Sequence, residues 1–298
     1  YPEYINDERL AWRRKQIGNL PTEAGRTPEE MFCQEFPSDW KEAFLTSGNP
    51  VFPKKQMENY KDKARDPIMV GNLFGLSPDQ HFDETPNGPL KLFDMPSLED
   101  GYIIFADVGQ FSDMCVATVV SKSDWAVVAK YRAQIKAHHF GDELNKLGYF
   151  FNKALIGVEV NNMGQSTIDR LVFLEYPHLY LRDRLNEKTK KKTKEVGWYT
   201  NSKTRPKMIG YIQDLVRREE AIIPDLEILG EMTTFVTKDN GKMEASAGNF
   251  DDCVISIAGA FYLLKLNPLV KLNTTKNTTV QKTRKFKRLR MARRRTAR

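Results

Sequence analysis

From residue 101 onward the chain alternates two periods. Short apolar runs, "GYIIFADVG", "CVATVV" and "WAVVAKYRAQI", predict three strands joined in an antiparallel meander, with a turn near Ser123 and Asp124. "HHFGDELNKLGYFFNK" then places Phe140, Leu144, Leu147 and Phe151 at helical spacing, and "ALIGVEV" reads as another buried strand. "GQSTIDRLVFLEY" predicts a second helix, and "HLYLRD" a further strand. "TRPKMIGYIQDLVRREE" opens as a helix, with Thr204 as the expected cap and Pro206 in the first turn. The last helix is expected to begin near Asp251 and to set Val254, Ile257, Ala258, Phe261 and Leu264 on one face. This order predicts an α/β fold, a mixed sheet covered by helices.

Upstream the periodicity is weaker. Residues 1–60 read as polar helical pieces broken by Pro and Gly, with Trp12, Phe32, Phe36, Trp40, Phe44 and Phe52 scattered among them. Residues 61–100 are rich in Pro, Gly and Asp and predict an irregular linker. No internal repeat is visible. The 298 residues suffice for a large core, no apolar run reaches eighteen residues, and the first residues lack signal-peptide order, so a soluble intracellular protein is expected. Cys33, Cys115 and Cys253 form no CxxC pair and predict buried thiols, neither disulfides nor a zinc site.

The net charge of +7 divides unevenly. Residues 271–298 hold twelve Lys and Arg and no acid, which leaves 34 basic and 39 acidic side chains, a net of −5, on the remainder. The tail has little aliphatic content to bury and predicts a disordered or loosely helical segment whose partner is polyanionic. Nucleic acid is one such partner and an acidic protein surface another.

Four acidic positions stand at the ends of apolar elements. Asp107 follows "YIIFA"; Glu159 sits between Val158 and Val160, where a carboxylate without a partner is costly; Asp251 and Asp252 precede the last helix. If the first and fourth strands are neighbours and the last helix packs across them, these side chains converge. A cluster of carboxylates without His or Cys suits hard cations such as Mg²⁺ or Mn²⁺, and two such ions support phosphodiester hydrolysis. Taken singly, each has a plainer reading: a strand-ending turn for Asp107, a structural ion pair for Glu159, helix capping for Asp251 and Asp252. Successive helix positions point about 100° apart, so only one of the adjacent pair can face the centre directly. Asp251 is expected as the main ligand and Asp252 as a second or orienting group.

The blocks "ADVGQFSD", "IGVEVNNMGQSTIDRL", "HLYLRD", "VGWYTNSKTRPKMI" and "GNFDD" resemble, in order and approximate spacing, the nuclease domain of the phage terminase large subunit, across about residues 101–266. "FCQEFPSDWKEAFLTSGNPVF" resembles the segment leading out of the ATPase part of such motors. The resemblance implies a ribonuclease H-like mixed β-sheet flanked by helices. It divides the chain into an ATPase-end segment (1–60), a linker (61–100), a nuclease domain (101–268) and a basic tail (269–298). It implies that Asp107, Glu159 and one of Asp251 or Asp252 hold two divalent cations, Mg²⁺ or Mn²⁺, of an endonuclease cutting packaged viral DNA, with Asp113 completing the site. The absence of a GxxxxGK[ST] loop and of an initial Met suggests an ATPase domain cut away or encoded elsewhere.

It further implies double-stranded DNA, a portal protein and a small terminase subunit as partners, a homo-oligomeric ring for the full motor, and residence in the host cytoplasm and at the procapsid, with no membrane. Asn161, Asn162 and Gly164 after Glu159 could position a ligand or a phosphate, or simply cap a helix. His138 and His139 read as structural. Phosphate contacts are expected from Lys190, Lys191 and Lys192 in a Lys-rich hairpin or loop, and from Lys203, Arg205 and Lys207 at the mouth of the next helix. Two other readings stay open: a resolvase or transposase using the same chemistry, and a non-catalytic DNA-binding assembly module in which the tail does the binding.

Overall fold

Alternation along the central strands decides the layering. In the computed structural model, which describes residues 7–20, 28–36, 49–76, 79–109, 113–160, 163–185, 192–238 and 240–268, the run β5 (Tyr102–Asp107) sends Ile103 and Phe105 to one face and Tyr102, Ile104 and Ala106 to the other. All five are fully or nearly fully buried, so the strand is sandwiched. β6 (Cys115–Ser121) and β7 (Val127–Ala133) follow as the expected meander, and β8 (Leu155–Val158) lies parallel to β5 on its other side.

The sheet is larger than the sequence pattern suggests. β2 (Met69–Phe74), β3 (His81–Glu84) and β4 (Leu90–Leu92) extend it to seven strands in the order β3-β2-β4-β7-β6-β5-β8, antiparallel except at β5–β8. This corrects the reading of residues 61–100 as an irregular linker. Those strands are short and carry Gly and Asp because an outer hairpin is half solvated: β3 is almost wholly exposed while Leu73, Leu90 and Leu92 reach the core. Gly71 is needed there, since a Cβ would lie 1.9 Å from the Asp83 carbonyl oxygen across the ladder.

One face is covered by α4 (Ala137–Phe150) and α5 (Gly164–Phe173), which contribute Phe140, Leu144, Leu147, Ile168 and Leu171. The other is covered by α8 (Asp252–Leu266), backed by α6 (Thr204–Arg217) and α7 (Leu226–Thr233). The expected single apolar face of α8 is corrected: the helix is buried nearly all round, from Cys253 to Leu264. It lies close on the sheet because Gly259 and Gly157 leave room, a Cβ on the first meeting the Phe105 ring at 2.4 Å and on the second Leu263 Cδ1 at 2.3 Å. Ser256 Oγ spends its hydrogen bond on the Phe105 carbonyl oxygen at 2.9 Å.

The periphery holds α1 (Asp7–Asn19) and α2 (Pro28–Glu35), joined through Trp12, Phe32 and Phe36. It also holds β1 (Asn49–Pro50) with β11 (Phe235–Thr237) and β12 (Met243–Ala245), α3 (Lys54–Asp62), and the hairpin of β9 (Leu181–Leu185) and β10 (Lys192–Val196). Cys115 and Cys253 are buried, whereas Cys33 is only half-buried. Among the described residues no helix is long and apolar enough to cross a membrane.

A candidate metal centre at the ends of two strands

Parallel pairing of β5 with β8, Ala106 opposite Val158, brings Asp107 and Glu159 off the same end of neighbouring strands. Glu159 is fixed on both sides, its N–H donating to the Ala106 carbonyl at 2.9 Å and its backbone bridging to Trp198. The Asp107 carboxyl is buried, with Glu159 within hydrogen-bonding reach of it. Asp107 is accordingly pushed well above the usual carboxylate range, first by burial, then by Glu159, and further by Asp252 and Asp251. Asp107 therefore senses the charge of three acids, two of them some 145 residues away in sequence.

The plain capping explanation fails for Asp251, while Asp252 stands as an acid in the first turn of α8. Asp251 occupies the N-cap position of α8 but makes no side-chain cap hydrogen bond. The free Cys253 N–H is instead taken by Glu231, whose Oε2 accepts it at 2.7 Å from α7. Asp251 Oδ2 meets Arg205 at 2.8 Å, and that arginine also donates to the Met243 carbonyl at 3.2 Å. Asp252 has no such clamp. Its carboxyl is raised to about 6, first by burial, then by repulsion from Glu231 and Asp251, with Asp113 adding and Arg132 offsetting. Asp252 also presses on Asp107 more strongly than Asp251 does.

Glu231 is a residue that sequence patterning missed. It belongs to a charged relay reaching from β7: buried Lys130 meets Asp225 at 2.7 Å and Glu227 at 2.5 Å, and Arg132 bridges Glu227 at 2.5 Å and Glu231 at 3.2 Å. Asp225 also caps α7, accepting from the Glu227 and Ile228 N–H groups. Burial of the Lys130 charge is outweighed by Asp225, Cys253 and Glu227, and the pair Lys130 and Lys91 holds Glu227 down to about 2 against the effect of its own burial. The sequence signal was the alternation of Lys130 and Arg132 with apolar neighbours in β7, which only pairing across the fold can explain.

Among the basic residues, Arg205 is not a free cation but the partner of Asp251, while Lys203 and Lys207 are exposed beside it. The expected Thr204 cap is replaced: Asn201 Oδ1 accepts from the Lys203 and Thr204 N–H groups at 2.8 and 2.9 Å. Lys192 is exposed at the far end of the β9–β10 hairpin, four residues from Val196 and so about 13 Å along the strand. Lys190, Lys191, Asn161, Asn162 and the tail lie outside the described residues. His138 and His139 are exposed at the start of α4, their ring centres 4.0 Å apart and tilted by 43°.

The donor set is all oxygen and fits a hard divalent ion by its chemistry. Among the described residues no group of three or more His, Cys, Asp or Glu is arranged so that it could hold a metal ion. Arg205 holds Asp251.

No protein-family description and no curated protein sequence matches the chain. Two crystal structures of the large terminase nuclease from thermophilic phage G20c do, one with bound magnesium and one with bound cobalt. Each has a TM-score of 0.52 at 17% identity, over 72% of this chain and 97% of the other. The chain therefore has the fold of a phage large-terminase nuclease domain, a ribonuclease H-like mixed sheet flanked by helices.

Proposed function

We propose that the chain is a divalent-metal-dependent DNA endonuclease of a viral genome-packaging motor, cutting concatemeric DNA when packaging starts and ends. The observation that carries this reading is the meeting of Asp107, Glu159, Asp251 and Asp252 from three separate elements at one end of the sheet. Asp107, Glu159, Asp251 and Asp252, with Asp113, would hold two divalent ions, Mg²⁺ or Mn²⁺. Such ions polarise the attacking water and offset charge on the leaving oxygen.

The chain's own groups do the rest. Glu231 leaves both aspartates of α8 unencumbered by capping, and Arg205, once parted from Asp251, is placed to meet a phosphate. Exposed Lys203 and Lys207 supply contacts that follow the backbone without reading bases. Double-stranded DNA is the substrate in this reading. The portal protein, the small terminase subunit, a ring-shaped full-length motor, and a site of action in the host cytoplasm at the procapsid belong to the same proposal.

Plasmid cleavage with Mg²⁺ or Mn²⁺ tests it. Wild type should nick and linearise supercoiled DNA, and Asp107→Ala and Glu159→Ala should fall to background. Equal activity in all three proteins would overturn the reading. Removing residues 271–298 should weaken DNA binding at physiological salt while leaving metal-dependent cutting in place.

A further inference from the structure

A cleft of about 630 Å³ opens between the β9–β10 hairpin and the start of α6. Arg182, Asp183, Arg184, Trp198, Tyr199, Asn201 and Thr204 line it. Its volume lies in the range of small-ligand sites, about 300–1,000 Å³. Its wall is tied to Glu159: Trp198 N–H donates to the Val158 carbonyl at 2.7 Å and the Val160 N–H donates to the Trp198 carbonyl at 2.6 Å. The following turn is locked as well, since Thr204 Oγ1 donates to the Tyr199 carbonyl at 2.8 Å.

The side chains on this rigid wall are unlike a packed surface. Tyr199 is 53% exposed with the Arg182 guanidinium 5.4 Å from its ring centre, an aromatic platform backed by a cation. Arg182 Nη1 and Trp198 Nε1 are both buried and without a hydrogen-bond partner. Net charge at the wall is small, because Glu195 neutralises Arg182 at 2.8 Å and Arg184 at 2.6 Å. That favours a base with its ring nitrogens and carbonyls over a bare phosphate.

We propose that this cleft is a nucleotide subsite, which takes one unpaired nucleotide of a DNA strand flanking the carboxylate centre, its base stacked on Tyr199. The proposal deepens the nuclease reading and rests on it for the identity of the strand. A duplex keeps its bases stacked on each other, so occupancy selects DNA that is melted or gapped beside the cut.

Binding of a short single-stranded oligonucleotide carrying 2-aminopurine, in Ca²⁺ and with the full chain, tests this directly. Wild type should quench the 2-aminopurine, and Tyr199→Phe should keep the quench. Tyr199→Ala should lose it and bind roughly fivefold or more weakly, as expected for one base–aromatic stack of about 1–3 kcal/mol. Tyr199→Ala should leave Mn²⁺ affinity and thermal stability unchanged, which separates loss of the platform from damage to the fold. Unquenched fluorescence with wild type, or equal affinity in Tyr199→Ala, overturns the subsite. Quenching by a wild-type protein that fails to cut plasmid sinks the nuclease reading alone; normal cutting without quenching sinks the subsite alone.

Discussion

Glu231 on α7 accepts the hydrogen bond of the Cys253 N–H at 2.7 Å, and so caps a helix to which it does not belong. A carboxylate at that position satisfies a free N–H and complements the helix dipole, the two services a local aspartate ordinarily performs. With the work done from outside, Asp251 and Asp252 keep their carboxylates for the site. Removing Glu231 should therefore harm metal binding through α8. Glu231→Ala should reduce Mn²⁺ affinity, measured by electron paramagnetic resonance, by about 10–100-fold, the usual range for outer-shell partners. Glu231→Gln keeps an acceptor and should stay within about threefold of wild type; equal losses in both would show that charge, not capping, is what Glu231 supplies.

Arg205 competes with any cation for Asp251. The pair is 26% and 29% exposed at its side chains, so its worth is at most about 1 kcal/mol. Arg205→Gln should accordingly raise Mn²⁺ affinity by up to about fivefold while weakening DNA binding. Calorimetric titration with Mn²⁺ checks the first effect and a salt-dependent DNA-binding series the second. Unchanged metal affinity would mean that the pair does not restrain Asp251.

Metal-free protein should be most stable in mildly acid solution. Asp252 titrates at about 6 when folded against an ordinary 3.8, so the folded state binds the extra proton between those values and loses stability as pH rises through them. Asp107, also raised, acts in the same direction. Glu227, held down to about 2, acts oppositely, its contribution being present above 4.5 and lost as pH falls towards 2. Thermal melts in chelator should thus peak near pH 4–5 and decline towards pH 7, and Mn²⁺ at pH 7 should restore the loss. Asp107→Asn, which removes the buried acid beside Glu159, should raise the melting temperature at pH 7 without metal and abolish cleavage. A melting temperature independent of pH between 4 and 7 would contradict this.

Close approach of α8 to the sheet sets where its first two residues stand. Gly259→Ala would place a methyl group 2.4 Å from the fully buried Phe105 ring. Overpacking costs about 1–3 kcal/mol, partly offset by the better helix propensity of Ala, about 1 kcal/mol. A lower melting temperature, by about 2–4 °C per kcal/mol of net loss, is expected, together with weaker Mn²⁺ binding as α8 lifts from β5. Gly210, which meets nothing within 4 Å, is the control: Ala there should be neutral or stabilising.

Strands 102–107, 115–121 and 127–133 were legible because both faces are buried and the apolar runs are bounded by turns. The strands between 69 and 92 were not, because an outer hairpin half in solvent carries as many polar residues as a loop does. At the site, Asp107, Glu159 and the Asp251–Asp252 pair were legible as carboxylates ending apolar elements. Glu231 was not, since nothing near it in sequence marks it as the cap of residue 253. The Trp198–Tyr199 wall was hidden for the same reason: its meaning comes from a backbone bridge to Glu159.

The amino-acid sequence by itself determined which segments must be buried and which acids stand at their ends, because hydrophobic period and the cost of burying a charge are local properties. Tertiary structure alone decided what those acids face. Parallel pairing of β5 with β8 set Asp107 against Glu159, and two glycines let α8 approach. Glu231 and Arg205, from other helices, then divided the work at Asp251 and Asp252, capping the helix from outside and pairing with the first, so that the second is left beside Asp107.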